Sequence, residues 1–229
     1  MPSQFSPCDL QKCFLCSRCL PEWRPLIALE KENRQLAKGE TLFREGDPVE
    51  GIYFVFSGKF KVQKRWGQDK TLLIRFAGEG DLLGFRGMGK DKHYPISATA
   101  LEPSLACYVR SDFFESCLRI NHALTYDLMK YFATELQDAE KRMRNLVHMD
   151  LRGRVADTLL QLEQQFGKDA NGFIQVNLTK QDLSAYAGTT YESFSRVISQ
   201  FLEAGWIKVS GKKTSILQAG KLRQLLSEK

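Results

Sequence analysis

Residues 179–205 read TKQDLSAYAGTTYESFSRVISQFLEAG, and the rest of the chain is best read outward from them. Thr179 followed by Asp182 has the spacing of a helix N-terminal cap, Gly188 closes that short helix, and Thr189 followed by Glu192 opens the next. Two capped helices about a glycine turn spell helix-turn-helix. Leu183 and Tyr186 on the first helix, and Phe194, Ile198, Phe201 and Leu202 on the second, supply the apolar faces that lock the pair. Gly205 stops the second helix. Trp206 to Val209, the basic turn Ser210-Gly211-Lys212-Lys213 and Thr214 to Leu217 then read as a two-stranded wing.

The second helix presents Glu192, Arg196, Gln200 and Glu203 on one face, away from the apolar set, with Ser195 beside them. On a helix lying in a DNA major groove, an arginine bonds two acceptors of guanine while a glutamate accepts from the cytosine amino group. Thr179, Thr189, Thr190, Tyr191, Glu192, Ser195 and Arg196 are therefore candidate DNA-binding residues, and Lys212 and Lys213 at the wing tip are candidate phosphate contacts. On an isolated helix Glu192 and Arg196 would read instead as a solvated i,i+4 ion pair, with Glu192 completing a capping box. The net charge, 33 − 27 = +6, favours an acidic partner, with double-stranded DNA the leading candidate.

Upstream of this unit the pattern changes twice. Residues 151–166 read as a helix, joined to the helix-turn-helix by a loop around Gly167 to Gly172. Leu124, Leu128, Phe132, Leu136, Ala139, Met143 and Leu146, separated by 4, 4, 4, 3, 4 and 3 residues, form an apolar stripe with no proline between Asn121 and Asp150. A long helix with so narrow a stripe is expected to seam to a copy of itself, giving a homodimer; packing across its own sheet is the alternative. From Leu36 to Val109 glycines at 39, 46, 51, 58, 67, 78, 80 and 84 punctuate short apolar runs, as in a jelly roll. Ile52 to Phe56 reads as a strand buried on both faces, and Phe60 with Val62, like Leu72, Ile74 and Phe76, shows the period of two. The expected fold is α+β: a cysteine-rich segment 1–24, a β-roll 25–115, a dimerisation helix 116–149 and a winged helix-turn-helix 150–229.

Composition excludes other classes. The 229 residues are 43% hydrophobic and 26% charged, ordinary for a soluble globular chain. No apolar run approaches the roughly 18 residues of a membrane span. The start carries Asp9, Lys12 and cysteines in place of a basic and then apolar leader, so a cytoplasmic protein is expected. Four of six cysteines, Cys8, Cys13, Cys16 and Cys19, fall within the first twenty residues, which suggests a metal or a cluster. Cys117, beside Phe113 and Phe114, reads as core. Gly84 to Lys90 falls short of a phosphate-binding loop, because Asp91 stands where a hydroxyl would hold magnesium. His93, His122 and His148 are scattered and no nucleophile-base-acid set is present, so no enzyme is expected.

A glycine-punctuated β-roll, a long helix and a C-terminal winged helix-turn-helix, in that order, resemble the CRP/FNR superfamily of bacterial transcription regulators over essentially the whole chain. Gly80-Asp81-Leu82-Leu83-Gly84-Phe85, the run from Ala100 to Cys107, and Glu192-Ser193-Phe194-Ser195-Arg196 resemble the FNR branch in particular. The cAMP-binding branch carries a glutamate for the ribose and an arginine for the phosphate; the corresponding stretches here, Gly84-Phe85-Arg86 and Tyr94-Pro95, have neither, so cAMP is not expected. The FNR resemblance implies an oxygen-labile 4Fe-4S cluster held by Cys13, Cys16, Cys19 and Cys107, with Cys8 as an alternative ligand. Cys13-x2-Cys16-x2-Cys19 has the thiolate spacing of bacterial ferredoxin clusters, although FNR leaves five residues before its last N-terminal cysteine and this chain leaves two. A zinc site at Cys8, Cys13, Cys16 and Cys19, or redox-active or idle thiols, remain open. The resemblance further implies a homodimer on a palindromic operator with TTGAT-type half-sites, RNA polymerase as a partner, and control by population shift. A redox carrier whose basic tail only docks an acidic partner is the rival class.

Overall fold

The computed structural model describes residues 13–67 and 70–226; Cys8 lies outside them. They divide into two compact units, Met1–Gln68 with Ile74–Thr134, and Asp69–Leu73 with Glu135–Lys229.

From the N-terminal side run α1 (Phe14–Arg18), a 3-10 turn Pro21–Trp23, α2 (Arg24–Glu30), β1 (Glu32–Leu36), β2 (Thr41–Phe43), β3 (Gly51–Ser57), β4 (Phe60–Trp66), β5 (Lys70–Ala77) and β6 (Leu82–Leu83). A 3-10 turn at Phe85–Met88, β7 (Ser97–Ala100), β8 (Ser104–Arg110), α3 (Ser111–Ile120) and α4 (His122–His148) follow. The strands form two four-stranded sheets, β1-β8-β3-β6 and β2-β7-β4-β5. Pleating gives each side of the first sheet its own core. Ile52 and Phe54 of β3 join Cys107 and Val109 of β8 in a cluster with α1, Ile27, Phe114, Cys117, Leu124 and Leu128. Val55 and Ala106 point the other way, into a second cluster with Phe43, Phe60, Val62, Ala98 and Tyr94. This is why Ile52 to Phe56 carries no polar alternation. On β5 the expected period holds for Ile74, packed against the second cluster, and for Phe76, 2% exposed, but not for Leu72, which is 41% exposed while Leu73 beside it is 1% exposed. The run after Gly84 makes only a 3-10 turn.

The long helix begins at His122, so residues 116–120 belong to a separate helix. Asn121 breaks the two apart with non-helical backbone; its buried side chain accepts from Leu124 N (3.0 Å) and donates to Arg18 O (3.3 Å). Along α4, Leu124 and Leu128 are buried, whereas Phe132, Leu136 and Met143 are 36%, 61% and 63% exposed, joined by Met129 and Val147 at 58% and 69%. The apolar stripe therefore seals the core over its first turns and faces solvent beyond them.

In the second unit α5 (Leu151–Phe166), capped by Asp150, precedes α6 (Lys180–Tyr186), α7 (Tyr191–Glu203), a hairpin of β9 (Ile207–Ser210) with β10 (Lys213–Ile216), and α8 (Ala219–Gln224). Val155, Leu159 and Leu162 of α5, Phe194, Ile198 and Phe201 of α7 and Leu222 of α8 are buried. Val197 is buried as well, while Leu202, expected inside, is 40% exposed. It follows the buried Phe201 by one helical step, which turns it off the buried stripe.

Candidate nucleic-acid interface

The helix-turn-helix is fixed by its caps. Thr179 Oγ1 accepts from Asp182 N at 3.0 Å, and Asp182 Oδ2 accepts from Thr179 N at 3.2 Å, a complete capping box that also engages the Thr179 hydroxyl at 2.6 Å. After α6 the chain turns through Gly188 at φ +63°, where a Cβ would lie 2.3 Å from Leu146 Cδ2. Only glycine meets both conditions without strain. Thr189 N donates to Ser184 O at 3.0 Å and so still belongs to the turn. The cap of α7 is consequently Thr190, one residue later than the sequence spacing predicts, with its Oγ1 accepting from Ser193 N at 3.3 Å.

That shift places Glu192 second in the helix, where it completes no capping box. Nor does it form an ion pair with Arg196 among the described residues; both side chains are exposed, together with Gln200, Glu203 and Tyr191. A surface glutamate and arginine one turn apart, committed neither to a cap nor to each other, are available to an outside partner. Ser195 departs from expectation. It is half-buried, its Oγ is shielded from solvent, and it has no hydrogen-bond partner. It borders the buried stripe of Phe194 and Ile198 rather than standing on the outward face.

The hairpin pairs Ser210 with Lys213 and Ile207 with Ile216. Lys212 is exposed at its tip, whereas Lys213 Nζ lies 2.9 Å from Asp169 Oδ2. Asp169 Oδ1 also accepts from Asn171 N and Phe173 N, and Ile174 N donates to Thr214 O at 2.8 Å, so the 167–175 loop braces the wing. The hydrogen bond from Lys213 holds the Asp169 carboxyl below the usual carboxylate range. The two lysines thus differ: Lys213 is built into the wing and Lys212 is presented by it.

Sequence reasoning missed a polar network behind α6. The Arg142 guanidinium stacks on the Tyr186 ring, 4.1 Å from its centroid, and donates to Tyr186 O at 2.7 Å. Tyr186 OH donates to Gln161 Oε1 (2.9 Å), and Asp157 Oδ2 accepts from both Gln161 (2.8 Å) and Asn145 (3.1 Å). Arg154 donates to Ala187 O at 3.1 Å and Met149 O at 2.8 Å. Burial pushes the Tyr186 hydroxyl up and the Arg142 guanidinium down from their ordinary ranges. In the sequence Arg142 looks like any charged residue flanking an apolar stripe, so only its tertiary partners distinguish it.

Comparison with known proteins bears on what this interface serves. Residues 33–121 match the cyclic nucleotide-binding domain family, and residues 153–225 match the Crp-like helix-turn-helix domain. The transcriptional activator protein anr of Pseudomonas aeruginosa is 29% identical over 217 residues, covering 90% of this chain and 88% of that protein. A CRP-like cAMP-activated global transcriptional regulator of Mycobacterium tuberculosis is 28% identical over 187 residues, covering 81% and 84%. Among solved structures, FixK2 of Bradyrhizobium japonicum superposes with a TM-score of 0.78 at 23% identity, over 87% of this chain and 98% of that one. The chain belongs to the CRP/FNR superfamily. It is a DNA-binding transcription regulator and not an enzyme, and among the described residues no helix is long and apolar enough to cross a membrane.

In residues 33–121, the part that matches the cyclic nucleotide-binding domain family, aromatic side chains fill the interior of the β-roll. Tyr94, in one of the two stretches that would supply the nucleotide's partners, is 2% exposed. Its hydroxyl donates to Gly51 O at 2.7 Å and its ring stacks on Phe43 at a centroid distance of 4.2 Å, filling the interior with aromatic surface. The cysteines are placed differently. Cys13 and Cys19 flank α1 and Cys16 lies within it; Cys107 sits on β8 opposite Phe54. All four are buried as thiols in the same apolar cluster, with Cys117. Cys107 Sγ donates to Asn33 Oδ1 at 3.6 Å. Thiol donors in an apolar cluster fit an iron-sulfur group in chemistry and burial. Among the described residues no three side chains of metal-binding type are already set in ligating geometry. Burial raises the Cys117 thiol to about 11, with a further push from Cys19.

Proposed function

We propose that this regulator binds a palindromic operator as a homodimer, under the control of an oxygen- or redox-sensitive 4Fe-4S cluster at Cys13, Cys16, Cys19 and Cys107. The observation that carries this reading is the burial of three N-terminal cysteines and one strand cysteine in a single apolar cluster. Its thiols come from segments more than eighty residues apart, so a group held there would tie α1 to β8. Such a group supplies a redox-active, oxygen-labile link. Around it the protein would exclude water through Phe14, Leu15, Ile52 and Phe54, and the thiol hydrogen that Cys107 now gives to Asn33 Oδ1 would be lost on ligation. The relative named for cAMP activation favours a nucleotide effector instead, but Tyr94 and its aromatic neighbours argue against that ligand here.

On DNA, α7 enters the major groove with Arg196 bonding guanine and Glu192 accepting from a cytosine amino group, while Lys212 meets phosphate. The exposed seam of α4 joins two copies so that their α7 helices lie about 34 Å apart, one DNA turn. RNA polymerase is the further partner of the DNA-bound dimer. The first test is the absorbance spectrum, with iron, sulfide and zinc content, of protein purified without oxygen and then exposed briefly to air. Broad visible absorbance with matched iron and sulfide, bleaching in air, is expected. Colourless protein, with zinc alone or without metal after anaerobic reconstitution, overturns the cluster and leaves the DNA-binding reading standing.

A further inference from the structure

We infer that α1 reports the state of its cysteines to the dimer seam through an aromatic relay, Phe14–Tyr131–Phe85–Phe132, clamped by Arg18 and Asp127. The inference rests on the reading of the N-terminal cysteines as the sensor, and it identifies the residues through which that sensor acts.

Phe14 follows Cys13 directly in the chain, on the helix that carries Cys16. Its ring meets Tyr131 of α4 edge-on at 5.6 Å. Tyr131 in turn meets Phe85 edge-on at 5.4 Å, and Phe85 stacks on Phe132 at 5.5 Å. Phe132 is the first exposed member of the stripe predicted from sequence to seam two copies. The chain of rings therefore leads from buried cysteines to the surface where a second copy would dock. Edge-to-face and offset-stacked pairs hold defined relative orientations, so displacing one ring shifts its neighbour instead of being absorbed.

A polar clamp runs beside the rings. Arg18 Nε lies 3.3 Å from Asp127 Oδ2, and the Arg18 guanidinium sits 4.2 Å from the centroid of Phe14. Arg18 O accepts from the Asn121 side chain at the start of α4. Thus the last residue of α1 holds both the first ring of the relay and the first turns of the long helix. Arg18 lies five positions after Cys13, and α1 buries no residues other than Phe14, Leu15 and Cys16. So short a helix has little hold of its own on the fold. Releasing the cysteines loosens α1, withdraws Phe14 from Tyr131 and lets Phe132 leave the position in which it faces a partner.

The test compares full-length wild type with Tyr131→Leu and Arg18→Gln, purified without oxygen, by sedimentation equilibrium before and after brief air exposure, with iron and sulfide measured alongside. Arg18→Gln alters a part-exposed ion pair and serves if Tyr131→Leu does not fold. Wild type is expected to dimerise at least tenfold more weakly after exposure. In the variants iron and sulfide remain at wild-type levels while the air-induced change falls below threefold. Variants that keep the wild-type response overturn the relay. Wild type without iron or sulfide overturns the cluster instead. The relay is then read from Cys16→Ser alone and combined with Tyr131→Leu: non-additive effects on dimerisation support it, and additive effects overturn it.

Discussion

Glu192 and Arg196 are separated by one helical turn and carry opposite charge, yet α7 leaves them unpaired. Glu192 is also free of the helix cap, for a local reason. Thr189 closes the preceding turn, Thr190 takes the cap, and Glu192 falls one place short of the position from which it would bond back. Arg196→Ala is therefore expected to cost about 1–3 kcal/mol at one operator base pair and to relax selectivity there. Titration against operators varied one base pair at a time checks this, and unchanged selectivity would remove Arg196 from base readout. Lys212 and Lys213 look interchangeable in the sequence. The structure separates them, because Lys213 is occupied by Asp169. Lys212→Ala is expected to weaken binding to all sequences alike and to lower the slope of log affinity against log salt by about 0.9 for each protomer bound, hence about 1.8 for a dimer on a palindrome. A preserved slope would mean that Lys212 meets no phosphate.

Elements differ in how far sequence alone reveals them. The α6 cap was readable because a capping box is spelled by two residues at fixed spacing, and Thr179 and Asp182 form it as expected. The both-faced burial of β3 was readable because no polar residue interrupts Ile52 to Phe56. The break at Asn121, the exposed Leu202 and the Arg142–Tyr186 stack were not, since each depends on neighbours distant in the chain. Of the candidate site, Glu192, Arg196 and Lys212 stand exposed where their spacing put them, whereas Ser195 is drawn toward the core. Gly188 combines left-handed backbone with close approach to Leu146, so Gly188→Ala is expected to lower the stability of the helix-turn-helix by about 1–3 kcal/mol. Denaturant unfolding followed by Trp206 fluorescence, in a background where Trp23→Phe and Trp66→Phe remove the other two indoles, measures it. The wing has a pH limit of its own. Lys213 depresses the folded-state value of Asp169, so this contribution is complete above the unfolded value near about 3.9 and is lost as pH falls through the lower folded one. Asp169→Asn should flatten that acid limb in hairpin amide shifts followed by NMR; an identical acid limb in the variant would assign it to another carboxylate.

At the scale of the whole molecule, α4 is 27 residues, or about 40 Å, and its apolar stripe is buried over the first turns and exposed further on. Leu124 and Leu128 close the β-roll core; Phe132, stacked on Phe85 yet 36% exposed, and the exposed Leu136 and Met143 continue the same stripe. Leaving such residues in water forgoes their burial, roughly 25 cal/mol for each square ångström, along a continuous strip of one helix. In the homodimer proposed above, two copies packed along that strip would recover it and would bring two α7 helices to one operator, as a palindrome requires. Leu136→Glu places a carboxylate at the middle of the strip, where the proposed two-fold brings it against its own copy. The variant is expected to sediment as a monomer at concentrations where wild type is dimeric. It should also bind a full palindrome at least a hundredfold more weakly while its affinity for a single half-site is unchanged. The half-site arm separates loss of pairing from loss of fold, because a misfolded helix-turn-helix fails on both targets. A Leu136→Glu protein that remains dimeric would move the two-fold away from α4, and the one-turn spacing of the recognition helices would then have to come from another surface.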